Sequence, residues 1–223
     1  MNNTLIATTK TFVQQTLQNA EGGHDWQHID RVYKTAMMIA EKEKCNTEIV
    51  ALAALLHDIA DSKFHNGDEA IGAITARNFL KENNADEATI EAVVQIIQNI
   101  SFKGGKEKRT YSSIELDIVQ DADRLDAISA IGIARAFNYG GFKNRKIYDP
   151  DILPNLDMDK KTYKKSGAPT INHFYEKLLL LKNLMNTTTG KCLAEERHRF
   201  TESFLEHFFE EIGEGNLTAK YMK

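Results

Sequence analysis

The chain has little proline and cysteine, no long apolar run and no excess of basic residues. Its 223 residues include three prolines, all between positions 150 and 169, so most of the sequence is open to helices. The two cysteines, Cys45 and Cys192, form no CxxC pair, which excludes a disulfide scaffold and a zinc–thiolate cluster. With 28 basic and 32 acidic residues, the chain lacks the charge of a broadly basic nucleic-acid binder.

The sequence also lacks the segments that would direct it to or across a membrane. It has no run of about 18 apolar residues, the length of a membrane-spanning helix. Residues 1–4 lack the charged and apolar regions of a signal peptide. We therefore expect a cytoplasmic protein with no membrane partner.

Apolar residues recur at three- and four-residue steps along most of the chain, which indicates amphipathic helices. The segment from Ile49 to Ile59 is apolar on almost every side, and such a helix belongs at the centre of a domain. Asp25 is a candidate N-cap. The sequence predicts an all-α fold of about eight helices, at 4–20, 25–44, 47–61, 66–83, 85–101, 113–138, 170–186 and 190–212.

We expect one domain over residues 1–223. Its core covers about 24–138, a loop covers 139–170, and a pair of helices follows at 170–212. The loop carries seven basic residues against four aspartates and contains all three prolines. Loops of this length are frequently lids or binding loops, although a solvated loop is the alternative interpretation.

Polar residues that interrupt apolar helices are the strongest functional signal. His57-Asp58 lies in the central apolar helix, three aspartates fall within residues 121–126, and His28 lies near the start of the second helix. Burying an unpaired carboxylate costs several kcal/mol, so these groups need partners such as a metal ion. Mixed imidazole and carboxylate ligands suit Mn²⁺, Fe²⁺, Ni²⁺, Co²⁺ or Zn²⁺. Taken singly, each feature also fits a structural role.

These residues resemble the H…HD…D signature of the HD-domain metal-dependent phosphohydrolases. The chain is similar to the small, stand-alone bacterial branch of that family, which includes nucleoside-triphosphate pyrophosphohydrolases. The similarity is carried by HDWQHIDRV at 24–32, ALLHDIAD at 54–61, ISFKGG at 100–105, VQDADRLDA at 119–127 and INHFYEKL at 171–178.

The resemblance implies an all-α fold of the HD-domain type and a set of metal ligands. By position, the ligands of one divalent ion (Mn²⁺, Ni²⁺, Co²⁺, Fe²⁺ or Mg²⁺) are His28, His57, Asp58 and Asp123. Relatives with two metals use additional histidines before the last aspartate, where this sequence offers only His65. The expectation is a mononuclear site.

Two groups of residues are candidates for catalysis and substrate binding. Asp61, one turn beyond Asp58, is expected to orient or deprotonate a metal-bound water, with a helix-terminal structural role as the alternative. The candidate substrate-binding residues lie near the motifs or in the basic loop, where solvated side chains are the alternative: Lys63, Asn99, Ser101, Lys103, Arg124 and Arg145.

The expected activity is hydrolysis of nucleoside triphosphates to monophosphate and pyrophosphate. Three alternatives stay open at this stage: a phosphomonoesterase or cyclic-nucleotide phosphodiesterase, a non-catalytic nucleotide-sensing module, and a protein with a purely structural metal. The expected ligand is a phosphorylated small molecule, and the chain is a monomer or homodimer. No nucleic-acid partner is expected.

Overall fold

Regular structure in the part of the chain described here is entirely helical, with nine α-helices and one 3₁₀ helix. This computed structural model describes residues 2–18, 20, 25–60, 70–100, 110–157 and 167–214. The all-α prediction is confirmed. No helix within those ranges is long and apolar enough to cross a membrane.

The first of two compact units comprises residues 1–102 and 107–123. Its central helix, Thr47–Leu56, is buried along seven of its ten residues, as its apolar sequence predicted. The Asn46 side chain caps this helix by accepting hydrogen bonds from two backbone N–H groups. The helices of this unit are α1 (Asn3–Thr16), α2 (Trp26–Ala40), α3 (Thr47–Leu56), α4 (Ile71–Glu82), α5 (Glu87–Asn99) and α6 (Ile114–Asp126), and α1, α2 and α5 all pack against α3.

The second unit comprises residues 103–106 and 124–223, so the boundary between the units falls inside α6, after Asp123. Aromatic rings form much of its core. Phe174 lies 5.8 Å from Phe204 and 5.9 Å from Phe137, measured between ring centroids. Its further helices are α7 (Ser129–Phe142), α8 (Thr170–Glu176), a 3₁₀ helix (Leu178–Leu184) and α9 (Thr188–Glu211).

The helix predicted at 113–138 is two helices, α6 and α7, which corrects the sequence-based prediction. Ser129 has φ +69°, in the left-handed region, and its N–H donates to Thr201 Oγ1 at 2.9 Å. A non-glycine residue in this conformation costs about 1–2 kcal/mol and is retained only where surrounding contacts impose it. A contact from a helix 72 residues away therefore imposes a break that no glycine or proline marks.

The long helix predicted at 170–186 is also wrong. After the seven residues of α8, Lys177 leaves helical geometry at φ −144° and ψ −56°, and a 3₁₀ helix follows. The run of leucines there has no 3.6-residue pattern that would specify an α-helix. Thr188–Glu211 then forms the last helix, close to the predicted 190–212.

Candidate metal centre

His28 is placed by the N-terminal cap of α2. Asp25 has extended backbone geometry, and its Oδ1 accepts a hydrogen bond from the His28 backbone N–H at 3.0 Å. The N-cap predicted at Asp25 is therefore confirmed; it satisfies one of the free N–H groups of the first turn. His28 is the third residue of α2, lies on the buried side of the helix and is 1% exposed.

His57 follows α3 directly, and a hydrogen bond fixes its ring. Its Nδ1 lies 2.8 Å from the carbonyl oxygen of Ala54. Since a carbonyl oxygen only accepts, this contact assigns the proton of the neutral imidazole to Nδ1 and leaves the lone pair on Nε2. His57 Nε2 is buried and has no hydrogen-bond partner among the described residues. An unsatisfied buried acceptor costs about 1–3 kcal/mol, a cost that a bound ligand would remove.

Three side chains, that of His57 among them, bring potential metal-ligand atoms close together. His28, His57 and Asp58 each offer one atom, and these atoms lie within 4.8 Å of one another. The two imidazole rings meet edge to face, with centroids 5.4 Å apart. Such an arrangement places a lone pair of His57 beside a second buried imidazole instead of inside an apolar core.

Asp123, on the last turn of α6, lies beside the two histidines of this group. Its Oδ1 lies 3.6 Å from His28 Nε2 and 3.9 Å from His57 Nε2. These separations exceed the usual hydrogen-bond range. Ligand atoms that each lie about 2.1 Å from a shared ion are themselves about 3–4 Å apart, so the spacing suits a common ion.

The chemistry of the group fits a divalent metal. Two imidazoles and two carboxylates form the mixed nitrogen and oxygen set that first-row divalent metals accept. The Nδ1–H of His57 is held by a backbone carbonyl, which is the outer contact that commonly orients a metal-ligating histidine. The residues His28, His57 and Asp58 can therefore hold a metal ion, with Asp123 beside them.

Asn99 was predicted to bind substrate, but both ends of its amide already have protein partners. Its Oδ1 accepts from the backbone N–H and the hydroxyl of Thr110, at 3.2 and 2.9 Å, and its Nδ2 donates to the Gln95 carbonyl at 2.9 Å. These contacts tie residue 110 back to the end of α5. Because Oδ1 already accepts two hydrogen bonds, that atom would bind a substrate donor only by exchanging one of them.

Two of the predicted substrate-binding residues, Arg124 and Arg145, are cationic and lie in the second unit. The Arg124 guanidinium donates to the carbonyl of Leu184, and Arg145 lies over the ring of Tyr139 at 5.5 Å from its centroid. Arg124 thus has a backbone partner in the fold. Asp61, Lys63, Ser101 and Lys103, and likewise His65, fall outside the described residues.

The sequence did not predict the contact that orients the His57 ring, because the partner is a backbone carbonyl oxygen, that of Ala54. The Ala54 carbonyl lies three residues before His57, at the end of α3, where helical carbonyls have no partner within the helix. A histidine immediately after a buried apolar helix is the signal that would have indicated this contact.

The helical fold and the converging histidine and aspartate side chains define a class of protein, and comparison with known sequences identifies that class. Residues 25–128 match the HD domain family model, a stretch that includes all four candidate ligands. YpgQ of Bacillus subtilis is 39% identical over 209 residues, covering 91% of each chain. The chain belongs to the HD-domain family.

Solved structures extend the likeness over almost the whole chain. An HD-superfamily hydrolase from Bacillus thuringiensis is 45% identical, with a TM-score of 0.74 over 93% of this chain and 96% of that one. A protein from Lactobacillus plantarum is 36% identical, with a TM-score of 0.82 over 96% and 98%. YpgQ in complex with ADP is 34% identical in the structural comparison, with a TM-score of 0.72 over 93% and 97%.

Proposed function

We propose that this chain is a divalent-metal-dependent phosphohydrolase that converts nucleoside triphosphates to monophosphate and pyrophosphate. The observation that carries the proposal is the buried Nε2 of His57, whose lone pair converges with His28, Asp58 and Asp123. In this proposal those four residues hold one ion. When bound, such an ion lowers the pKa of a coordinated water and neutralises charge on a phosphoryl oxygen.

The protein's own groups supply the remaining functions. The Ala54 carbonyl accepts from Nδ1 of His57 and so orients the ring, with Nε2 as the nitrogen that would bind the ion. Asp61 is proposed as the base that orients or deprotonates the attacking water. Lys63, Ser101, Lys103 and Arg145 are proposed to contact the phosphates, with Asn99 and Arg124 less suited because their polar atoms have protein partners.

A nucleotide substrate is supported by the relative YpgQ, which has been crystallised in complex with ADP. Its similarity covers 93% of this chain, so a comparable ligand is the natural first choice for testing. We extend this to nucleoside triphosphates, whose cleavage between the α- and β-phosphates releases pyrophosphate.

The test is product analysis with metal-stripped protein. Mn²⁺, Ni²⁺, Co²⁺ and Mg²⁺ are added singly with each nucleoside triphosphate, and pyrophosphate and orthophosphate are measured separately. We expect metal-dependent pyrophosphate release that falls to the metal-free background in Asp58→Ala and His28→Gln. His207→Gln is the matched control, because His207 is exposed and its Nδ1 contacts only the Ser203 carbonyl of its own helix.

The outcomes separate the candidate activities. Orthophosphate without pyrophosphate would replace the proposal with a phosphatase, and hydrolysis confined to cyclic nucleotides would replace it with a phosphodiesterase. Nucleotide binding without any product would identify a sensing module instead.

A further inference from the structure

The last turn of α6, residues 123–126, carries both Asp123 and a concentrated set of arginine contacts. The final carbonyls of a helix lack partners within the helix and need other donors. Arg197 of α9 donates from Nη1 to the Leu125 carbonyl at 2.6 Å. Arg135 of α7 donates from Nη1 to the Asp126 carbonyl at 3.3 Å. Two separate helices therefore satisfy the carbonyls that end α6.

Asp126 explains why Arg135 is held there. Its carboxylate is buried, with the residue 4% exposed, and its Oδ2 accepts from Arg135 Nη1 at 2.7 Å. A carboxylate at a helix C-terminus is unfavourable towards the helix dipole, and a buried one needs a charged partner. The pair thus anchors Arg135 beside the carbonyl that it caps.

Arg197 is itself half-buried. Burial lowers the pKa of its guanidinium, while the nearby Asp126 carboxylate acts in the opposite direction. A half-buried arginine that donates to a backbone carbonyl fixes that carbonyl more firmly than a fully solvated one, because less water competes for it.

The backbone beyond this turn is equally constrained. Ser129 adopts its left-handed conformation with its N–H bonded to Thr201, one helical turn after Arg197 on α9. A Cβ at Gly132 would lie 2.2 Å from the backbone carbon and oxygen of Ala127, so α7 approaches the end of α6 as closely as glycine allows. The end of α6 therefore has little freedom to unwind.

We propose that Arg135, Arg197 and Asp126 are positioning residues for Asp123, holding the terminal turn of α6 so that this carboxylate stays directed at His28 and His57. The inference rests on the proposed metal centre and adds three residues that do not themselves touch the ion. Fraying from the helix end reaches Asp123 within one turn, so loss of a cap translates into a displaced ligand.

The test measures metal affinity directly. Mn²⁺ binding to the metal-stripped full chain is followed by titration calorimetry and by the electron paramagnetic resonance spectrum of the ion. We expect Arg197→Met to weaken Mn²⁺ affinity roughly tenfold, the range seen when groups outside the ligand set are lost. Arg197→Lys should recover part of the loss. Arg199→Met is the matched control on the same helix, since Arg199 is exposed, and its affinity should equal the wild type.

The same data separate a positioning role from general stabilisation. Unchanged Mn²⁺ affinity in Arg197→Met, with or without a lower melting temperature, would overturn the inference. If Arg197→Met does not fold, Arg135→Met decides, because it removes the donor to Asp126: wild-type affinity and an unaltered spectrum in that variant would overturn the inference. Absence of Mn²⁺ binding by the wild type would overturn the proposed function, and this inference with it.

Discussion

Two buried histidines, one in each unit, share an unusual property and differ in their surroundings. His57 Nε2 and His198 Nδ1 are both buried without a hydrogen-bond partner in the described residues. His57 lies beside His28, Asp58 and Asp123. The other nitrogen of His198, Nε2, lies 3.2 Å from Glu202 on the next turn of α9. The converging trio of ligand-type residues contains His57, and His198 has no such group in the ranges described.

The difference shows what distinguishes a candidate site from ordinary buried polarity. In the second unit, half-buried arginine side chains donate to backbone carbonyls: Arg124 to that of Leu184, and Arg197 to that of Leu125. These contacts occupy guanidinium donors and cap the carbonyl ends of helices. In the first unit, His57 Nδ1 contacts the Ala54 carbonyl, and the buried Nε2 of His57 lies close to ligand-type atoms of His28 and Asp58. Ligand-type atoms that meet at one point are what a cation can bind.

The largest expected effect compares these two histidines by substitution. His57→Gln should weaken Mn²⁺ affinity roughly a hundredfold, since it removes a proposed ligand and not merely a supporting contact. His198→Gln should leave Mn²⁺ affinity unchanged and alter only the melting temperature. Titration calorimetry on both metal-stripped variants provides the measurement. Equal affinities in the two variants would show that convergence around His57 has no bearing on metal binding.

A second comparison uses two glycines of α7. Gly132→Ala should destabilise the protein by about 3 kcal/mol, because the new Cβ would meet the Ala127 backbone at 2.2 Å. Gly141→Ala should stabilise it by about 0.5 kcal/mol, because a Cβ there meets nothing within 4 Å and alanine is the better helix former. Urea unfolding of both variants gives the free energies. A Gly132→Ala variant as stable as the wild type would contradict the close approach of α7 to residue 127.

The last prediction concerns how pH changes the free energy of unfolding through a histidine of the second unit. Desolvation, together with the smaller effect of the Lys177 and Arg145 charges, lowers the pKa of His173 to about 3. Between pH 3 and 6.5 the unfolded chain therefore binds the extra proton, so this residue costs stability as the pH falls below 6.5. From pH 7.5 to 5 the contribution is about 1–2 kcal/mol.

The His173→Gln variant has no imidazole at this position to take up a proton on unfolding. The difference in unfolding free energy between wild type and variant should therefore move in favour of the variant by this amount at pH 5. Urea unfolding at pH 7.5 and pH 5 measures it. Parallel losses in the two proteins would show that the imidazole takes up its proton in the folded state.

The sequence predicted those features that local physics determines. The apolar surface of Thr47–Leu56 identified the central helix, and an acidic side chain before α2 identified its N-cap. The three candidate ligands that converge, His28, His57 and Asp58, are polar residues within otherwise buried segments. Their position inside apolar stretches of the sequence is what made them conspicuous.

Features that depend on distant contacts were not predictable in the same way. The break at Ser129 depends on Thr201, and the orientation of Arg124 depends on the Leu184 carbonyl, 60 residues away. Asn99 illustrates the same limit, because its amide is engaged by Thr110, 11 residues further along the chain. Sequence spacing identifies which residues are polar and buried, whereas only the fold determines which of them already have partners.

The start of α2 has a practical consequence of a different kind. Trp26 is the single tryptophan of the sequence, the first residue of α2 and two positions before His28. Its indole emission therefore originates beside the candidate metal centre and from nowhere else in the chain. Paramagnetic and coloured ions quench nearby emission, so occupancy of the centre becomes an intrinsic optical signal. Stopped-flow recording of that signal would time the arrival of the ion separately from any chemistry on phosphate.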